Sequence, residues 1–215
     1  MRGVVMITSC YASSRSDKLL WVKDLPPDMT YVFIRGSLDL DRDYIYNKEA
    51  HECVLKCSDQ YLGLPQKIKM GFNFVCQVFN PDYLIKVDDD VIVNVPKLVD
   101  FVNTNKYDYV GNVSYSKGQV FCCGPLYYLS KSALESMKNM SIDGLDEEDL
   151  CVGRHTGVCG IPIHNVELYT NFHEKKDEFI AYHDAARIEF PDPIKIIAPL
   201  PSTTKTFRLS FLPKF

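Results

Sequence analysis

Asp82-Tyr83-Leu84-Ile85-Lys86-Val87-Asp88-Asp89-Asp90-Val91-Ile92-Val93 is an apolar run that ends in three consecutive aspartates and then resumes. Tyr83 to Val87 reads as a buried strand, because a sheet covered on both faces selects short continuous apolar runs. The triplet Asp88-Asp89-Asp90 therefore stands at the carboxyl end of a strand. Like charges a few ångströms apart repel and raise one another's pKa, so three adjacent carboxylates are costly to hold together unless a cation relieves them. Oxygen ligands of this kind favour Mg²⁺ or Mn²⁺, which keep water and substrate phosphates in their remaining positions. In an extended segment Asp88 and Asp90 share one side. A solvated acidic turn is the competing reading.

Upstream, GVVMITS (residues 3–9) is a first buried strand, followed by the polar loop CYASSRSDK. TYVFIRG is a second strand, and from Asn47 to Asn80 the spacing of Val54, Leu55, Tyr61, Leu64, Ile68, Phe72 and Val75 predicts helices. Downstream, VIVNVPKLVDFVNT reads as a short strand and a helix, YDYVGNV and QVFCCGPLYYLS as strands, and SKSALESMKNM as a helix. DEEDLCVGRHTG opens another helix. The alternation predicts an α/β fold with a mixed, mostly parallel central sheet flanked by helices. Ligands of such sheets bind outside the carboxyl ends of the strands, where the triplet lies.

The 215 residues suit one compact domain, and 46% hydrophobic with 24% charged residues excludes a disordered, collagenous or coiled-coil chain. A net charge of −4 argues against a nucleic-acid partner bound through its phosphates. The eight cysteines mostly sit in apolar runs such as FVCQVF and VFCCGP, which reads as reduced, buried thiols and a cytoplasmic protein. Cys151, His155 and Cys159 have a helical spacing suited to zinc but lack a fourth partner nearby. No apolar stretch reaches the ~18 residues of a membrane span. Residues 1–190 are read as the domain. Residues 191–215, with Lys195, Lys205, Arg208 and Lys214 among several prolines and no acid beyond Asp192, are read as a basic extension that wraps the domain or leads to a linker and further domains.

A second acidic cluster, Asp146-Glu147-Glu148-Asp149, precedes Leu150 and Val152 and is either a helix-capping run or a catalytic one. Between the clusters lies Cys122-Cys123-Gly124-Pro125, where Gly124 allows close approach to the backbone. His183 follows the apolar run FIAY and is a metal-ligand candidate against an ordinary hydrogen-bonded imidazole.

The order KVDDDVIV, FCCGPLYYLSKSAL, EEDLCVG resembles glycosyltransferase family 31, the β-1,3-galactosyltransferase and Fringe group. Upstream, Asp59, Tyr61, Leu64 and Lys67 match the family's D-x-Y-x-N-L-T-x-K segment, and Glu49 is similar to a glutamate of its preceding helix. The resemblance covers about Tyr31 to His183. It implies a GT-A nucleotide-sugar-binding fold and an inverting, metal-dependent transfer of a hexose from a UDP-sugar to a hydroxyl of a glycan or glycoprotein acceptor, giving a β-linkage. Asp90 would ligate Mn²⁺ or Mg²⁺, Asp88 would ligate it or touch ribose or a metal-bound water, and His183 would be the C-terminal ligand, with His173 its competitor. Asp149 would match the catalytic base, with Glu148 its close rival. Thr8, Ser9, Tyr11, Lys67, Asp89 and Gly124 complete the expected donor site. The loop SCYASSRSDK only loosely resembles the family's R-x-x-I-R-x-T-W segment, and the family's membrane anchor and stem are not seen. That departure suits a bacterial or viral enzyme, such as one glycosylating an algal-virus capsid in the host cytoplasm. A metal-dependent phosphohydrolase and a non-catalytic sugar-binding or capsid-associated protein are the alternatives.

Overall fold

The computed structural model describes residues 1–9, 19–144, 147–171 and 179–183. In chain order these form β1 (Gly3–Thr8), β2 (Met29–Gly36), β3 (Tyr44–Asn47), β4 (Glu52–Leu55), α1 (Leu64–Val78), β5 (Tyr83–Asp88), β6 (Val91–Val93), α2 (Val95–Thr104), β7 (Tyr109–Ser116), β8 (Gln119–Ser130), α3 (Lys131–Ser136), α4 (Glu148–Val158), β9 (Ile163–Asn165), β10 (Tyr169–Asn171) and β11 (Ala181–His183). The main sheet has the order β3-β4-β2-β1-β5-β8-β7-β9, and a small second sheet has the order β10-β11-β6. β4, β2, β1 and β5 run parallel, whereas β8 is antiparallel to both β5 and β7. The sheet is mixed, as expected.

Successive residues of a strand point to opposite faces, so a strand covered on both sides must be apolar at every position. β1 shows this directly. Val4 and Met6 enter a core with Ile68, Phe72 and Val75 of α1, Leu134 of α3 and Val152 of α4. Val5 and Ile7 enter the opposite core with Leu98, Phe101 and Val102 of α2 and with Trp21 and Val22 of a 3-10 turn. Helix starts follow local chemistry: Pro65 opens α1, and Asn94 caps α2 by accepting from the amide of Lys97 at 3.2 Å.

The topology locates the crevice. After β4 the chain returns through α1 and lays β5 on the edge of β1 opposite β2. Strand order thus reverses between β1 and β5, and a reversal of this kind opens a ligand crevice at the strands' carboxyl ends. In register, Thr8 stands beside Asp88 on one side and Ile34 on the other.

Two expectations are corrected. Residues 47–57 are not helical: β4 lies parallel to β2, with Cys53 and Leu55 buried and Glu52 and Val54 half-buried. A four-residue strand carries too few apolar positions to separate a period of two from one of 3.6. Glu49 consequently sits in the turn between β3 and β4, its amide on Asn47 Oδ1 at 3.1 Å, not in a helix. Helical order begins at Leu64, and Tyr61 belongs to the 3-10 turn before it.

The seven described cysteines, Cys53, Cys57, Cys76, Cys122, Cys123, Cys151 and Cys159, are free thiols. His155 Nε2 lies 2.8 Å from the Ser136 carbonyl and 3.4 Å from Cys159 Sγ. Among the described residues no helix is long and apolar enough to cross a membrane. Tyr11, His173 and the basic segment 191–215 lie outside the described residues.

Candidate active site

The triplet divides at the end of β5. Asp88 is the strand's last residue, and Asp89 and Asp90 form the turn into β6. The expectation that Asp88 and Asp90 alternate along one extended segment therefore fails, because the extended backbone stops at Asp88. The Asp89 amide donates to the Thr8 carbonyl at 3.1 Å, and the chain then leaves for the second sheet. The Trp21 indole steadies that departure by donating to the Val91 carbonyl at 3.2 Å.

On one side of this end stands Lys86, wholly buried on β5. Two residues before Asp88, it projects to the same face. Its ammonium donates to Asp88 Oδ1 at 2.6 Å, to Glu148 Oε1 at 2.8 Å and to the carbonyl of Gly124. Burial alone would lower the pKa of a lysine, but the two carboxylates outweigh it and hold Lys86 protonated. Glu148 is buried at the head of α4, where the Tyr127 hydroxyl also donates to its Oε2 at 3.1 Å. Burial pushes the Glu148 carboxyl up, against the opposing pull of Lys86.

Asp149, the next residue, is half-buried and differently placed. Its Oδ2 accepts from the Gly124 amide at 3.2 Å, and its Oδ1 accepts from the Leu150 amide at 2.9 Å. Burial, followed by the neighbouring Glu148 charge, pushes its pKa up to about 6. The glycine at 124 is explained by these side chains. A Cβ there would lie 3.0 Å from Glu148 Oε1, and 3.7 Å from both Asp149 Oδ2 and Lys86 Nζ. Glycine thus admits the protein's own carboxylates, where sequence suggested room for a ligand.

On the other side stands a second buried lysine. Lys67 of α1 donates to Asp59 Oδ1 at 2.7 Å and to the Ser9 carbonyl at 3.0 Å. Asp59 also accepts from the Gly36 amide at 2.7 Å, and the Ser9 hydroxyl donates to Asp89 Oδ2 at 2.6 Å. Thr8 Oγ1 is buried with no hydrogen-bond partner among the described residues.

The structure thus gathers Thr8, Ser9, Lys67, Asp88, Asp89, Asp90, Gly124, Glu148 and Asp149 around the carboxyl ends of β1 and β5. His183 ends β11, and the antiparallel register pairs it with Val91, one residue past Asp90. Among the described residues no three His, Cys, Asp or Glu side chains already form a metal-binding group. Lys86 and Tyr127 were missed by sequence reasoning. A charged residue inside the apolar run YLIKV, two positions before Asp88, was the available signal for the lysine. Tyr127 had none, since YYLS reads as ordinary core.

The fold is of the GT-A type. A glycosyltransferase involved in the glycosylation of the major capsid of PBCV-1 has a similar structure, with a TM-score of 0.57 at 9% identity over 86% of this chain and 95% of that one. The apo-form glycosyltransferase GlyE of Streptococcus pneumoniae TIGR4 superposes with a TM-score of 0.50 at 11% identity, over 86% of this chain and 55% of that one. The family model for galactosyltransferases matches residues 21–118, which bears out the resemblance drawn from the motifs. That span includes the aspartate triplet and stops short of Gly124 and the head of α4. No curated protein gives a significant sequence match. Together these findings support a glycosyltransferase.

Proposed function

We propose that the protein transfers a hexose from a UDP-sugar to a hydroxyl of a glycan or glycoprotein acceptor, with inversion to a β-linkage. The observation that carries this reading is Asp149: a half-buried carboxylate on a rigid helix start, with its pKa pushed up to about 6. Such a group is ionised at neutral pH yet basic enough to accept a proton. Glu148 is the weaker candidate, because Lys86 and Tyr127 already occupy both of its oxygens.

In the proposed reaction the acceptor hydroxyl gives its proton to Asp149 as its oxygen bonds to the anomeric carbon. The bond from that carbon to the diphosphate breaks, and its electron pair leaves with UDP. Attack opposite the leaving group inverts the anomeric centre. The Gly124 amide and the helix start keep the Asp149 carboxylate aimed. The exit of β1 at Thr8, with Tyr11 three residues further along the sequence, is the expected seat of the donor's base and ribose. Asp88, Asp90 and His183 are the residues that would hold Mn²⁺ or Mg²⁺, which when bound offsets the charge of the departing diphosphate. Their oxygen and imidazole donors suit such an ion, and the backbone pairing of His183 with Val91 supports including it.

The test is a panel of UDP-sugars with glycan acceptors, with Mn²⁺ or with a chelator, and with the product's anomeric configuration read by NMR. Mn²⁺-dependent formation of a β-linked product is expected. Release of free phosphate or free sugar with no acceptor dependence, for every donor tried, would replace transfer by hydrolysis.

A further inference from the structure

Ser9 is held at every polar atom of its backbone and by its hydroxyl. Its amide donates to the Ile34 carbonyl of β2 at 3.0 Å, its carbonyl accepts from Lys67 at 3.0 Å, and its hydroxyl donates to Asp89 at 2.6 Å. The partners are anchored in turn. Lys67 rests on Asp59, Asp59 takes the amide of Gly36 at the end of β2, and the Asp89 amide is on the Thr8 carbonyl. One connected chain of hydrogen bonds therefore fastens together the exits of β1, β2 and β5, where parallel strands end and their ladders no longer fix the backbone. Ser9, Lys67 and Asp89 are buried, so the chain lies beneath the crevice. Buried charges are tolerated only when paired and hydrogen-bonded, and networks of this type fix one backbone arrangement.

We propose that the middle carboxylate of the triplet, Asp89, together with Asp59 and Lys67, consists of positioning residues that hold Ser9 and the exit of β1 in the geometry that binds the donor, and that none of the three touches the nucleotide sugar. This rests on the donor reading of the crevice given above. It divides the triplet by role: Asp88 and Asp90 face the ligand, and Asp89 faces the scaffold. It also gives a role to the lysine eight residues after Asp59 on α1, whose long side chain spans from the helix to the Ser9 carbonyl.

The experiment is a double-mutant cycle on Ser9→Ala and Asp89→Ala, with Asp89→Asn and Lys67→Met as companions. UDP affinity is measured by calorimetry with Mn²⁺, turnover with saturating UDP-sugar, and melting without ligand. Ser9→Ala, Asp89→Ala and Lys67→Met should each weaken UDP binding about tenfold while kcat at saturation stays within about threefold, because the donor's seat is loosened and the chemistry is untouched. The Ser9→Ala/Asp89→Ala double variant should be no worse than the worse single one, since the two share one bond. Asp89→Asn keeps an oxygen for the Ser9 hydroxyl and should recover most of the affinity. If instead Asp89→Ala loses far more affinity than Ser9→Ala, adds to it in the double variant, and is not rescued by Asn, then Asp89 contacts donor or cation and the proposal is wrong. Melting shifts report on the network itself: non-additive shifts support it, and additive ones overturn it. A wild-type protein that melts cooperatively yet binds no UDP with Mn²⁺ would overturn the donor reading, and with it the role in binding, while the network remained measurable.

Discussion

Two buried lysines flank the end of β5, and their surroundings differ in one respect. Lys67 is matched by the Asp59 carboxylate and a backbone carbonyl. Lys86 is met by two carboxylates and a carbonyl, with the Asp149 carboxylate close by. The Lys67 side is a hydrogen-bonded network that fixes backbone. Lys86 is enclosed by the carboxylates of Asp88 and Glu148, and beside it Asp149 has its pKa raised, first by burial and then by the Glu148 charge. One side thus holds backbone in place, and the other presents a carboxylate of raised pKa to the same crevice.

The comparison breaks most visibly if Asp149 is not the reactive carboxylate. Asp149→Asn keeps the shape and removes the basicity, and should lower kcat by on the order of 10²–10⁴ with donor affinity unchanged. Near-normal turnover in that variant, with Glu148→Gln inactive, would transfer the role to Glu148.

Lys86→Met should destabilise the fold by roughly 3–5 kcal/mol, because removing one partner of a buried pair strands the other, here the buried Glu148. Chemical denaturation reads this, and adding Glu148→Gln to Lys86→Met should restore part of the loss. An unchanged denaturation midpoint in Lys86→Met would mean that the two lysine sites do not differ as described.

The pH dependence of stability sharpens the same point. The Asp149 carboxyl is a weaker acid in the fold than in the unfolded chain, so the native state binds its proton more tightly. Its ionisation therefore opposes folding above a pH of about 6, and the penalty is progressively relieved as pH falls from there toward the ordinary carboxylate value. Asp149→Asn should accordingly raise the melting temperature by a few degrees near pH 8 and leave it unchanged near pH 4, measured by calorimetry. The pH profile of kcat should fall on the acid side through about pH 6, where the base becomes protonated. The smallest expected effect is that of Tyr127→Phe, which removes one donor from Glu148 and should cost about 1 kcal/mol. No change in the denaturation midpoint would show that Lys86 alone suffices to hold Glu148.

The aspartate triplet, the strand before it, the glycine at 124 and the acidic head of α4 were legible in the sequence because each is a local pattern: an apolar run, a residue type, a spacing. β4 was not, since four residues beside β2 owe their extended form to the ladder they complete rather than to any pattern of their own. The two lysine networks lay equally beyond sequence reading. Lys86 meets Glu148 across 62 positions, and Ser9 meets Asp89 across 80. Sequence by itself determined which residues carry charge and where the apolar strands β1 and β5 end. Only the tertiary structure decided which acid each buried cation neutralises, because ion pairing inside a protein depends on distance and burial, and the fold creates both.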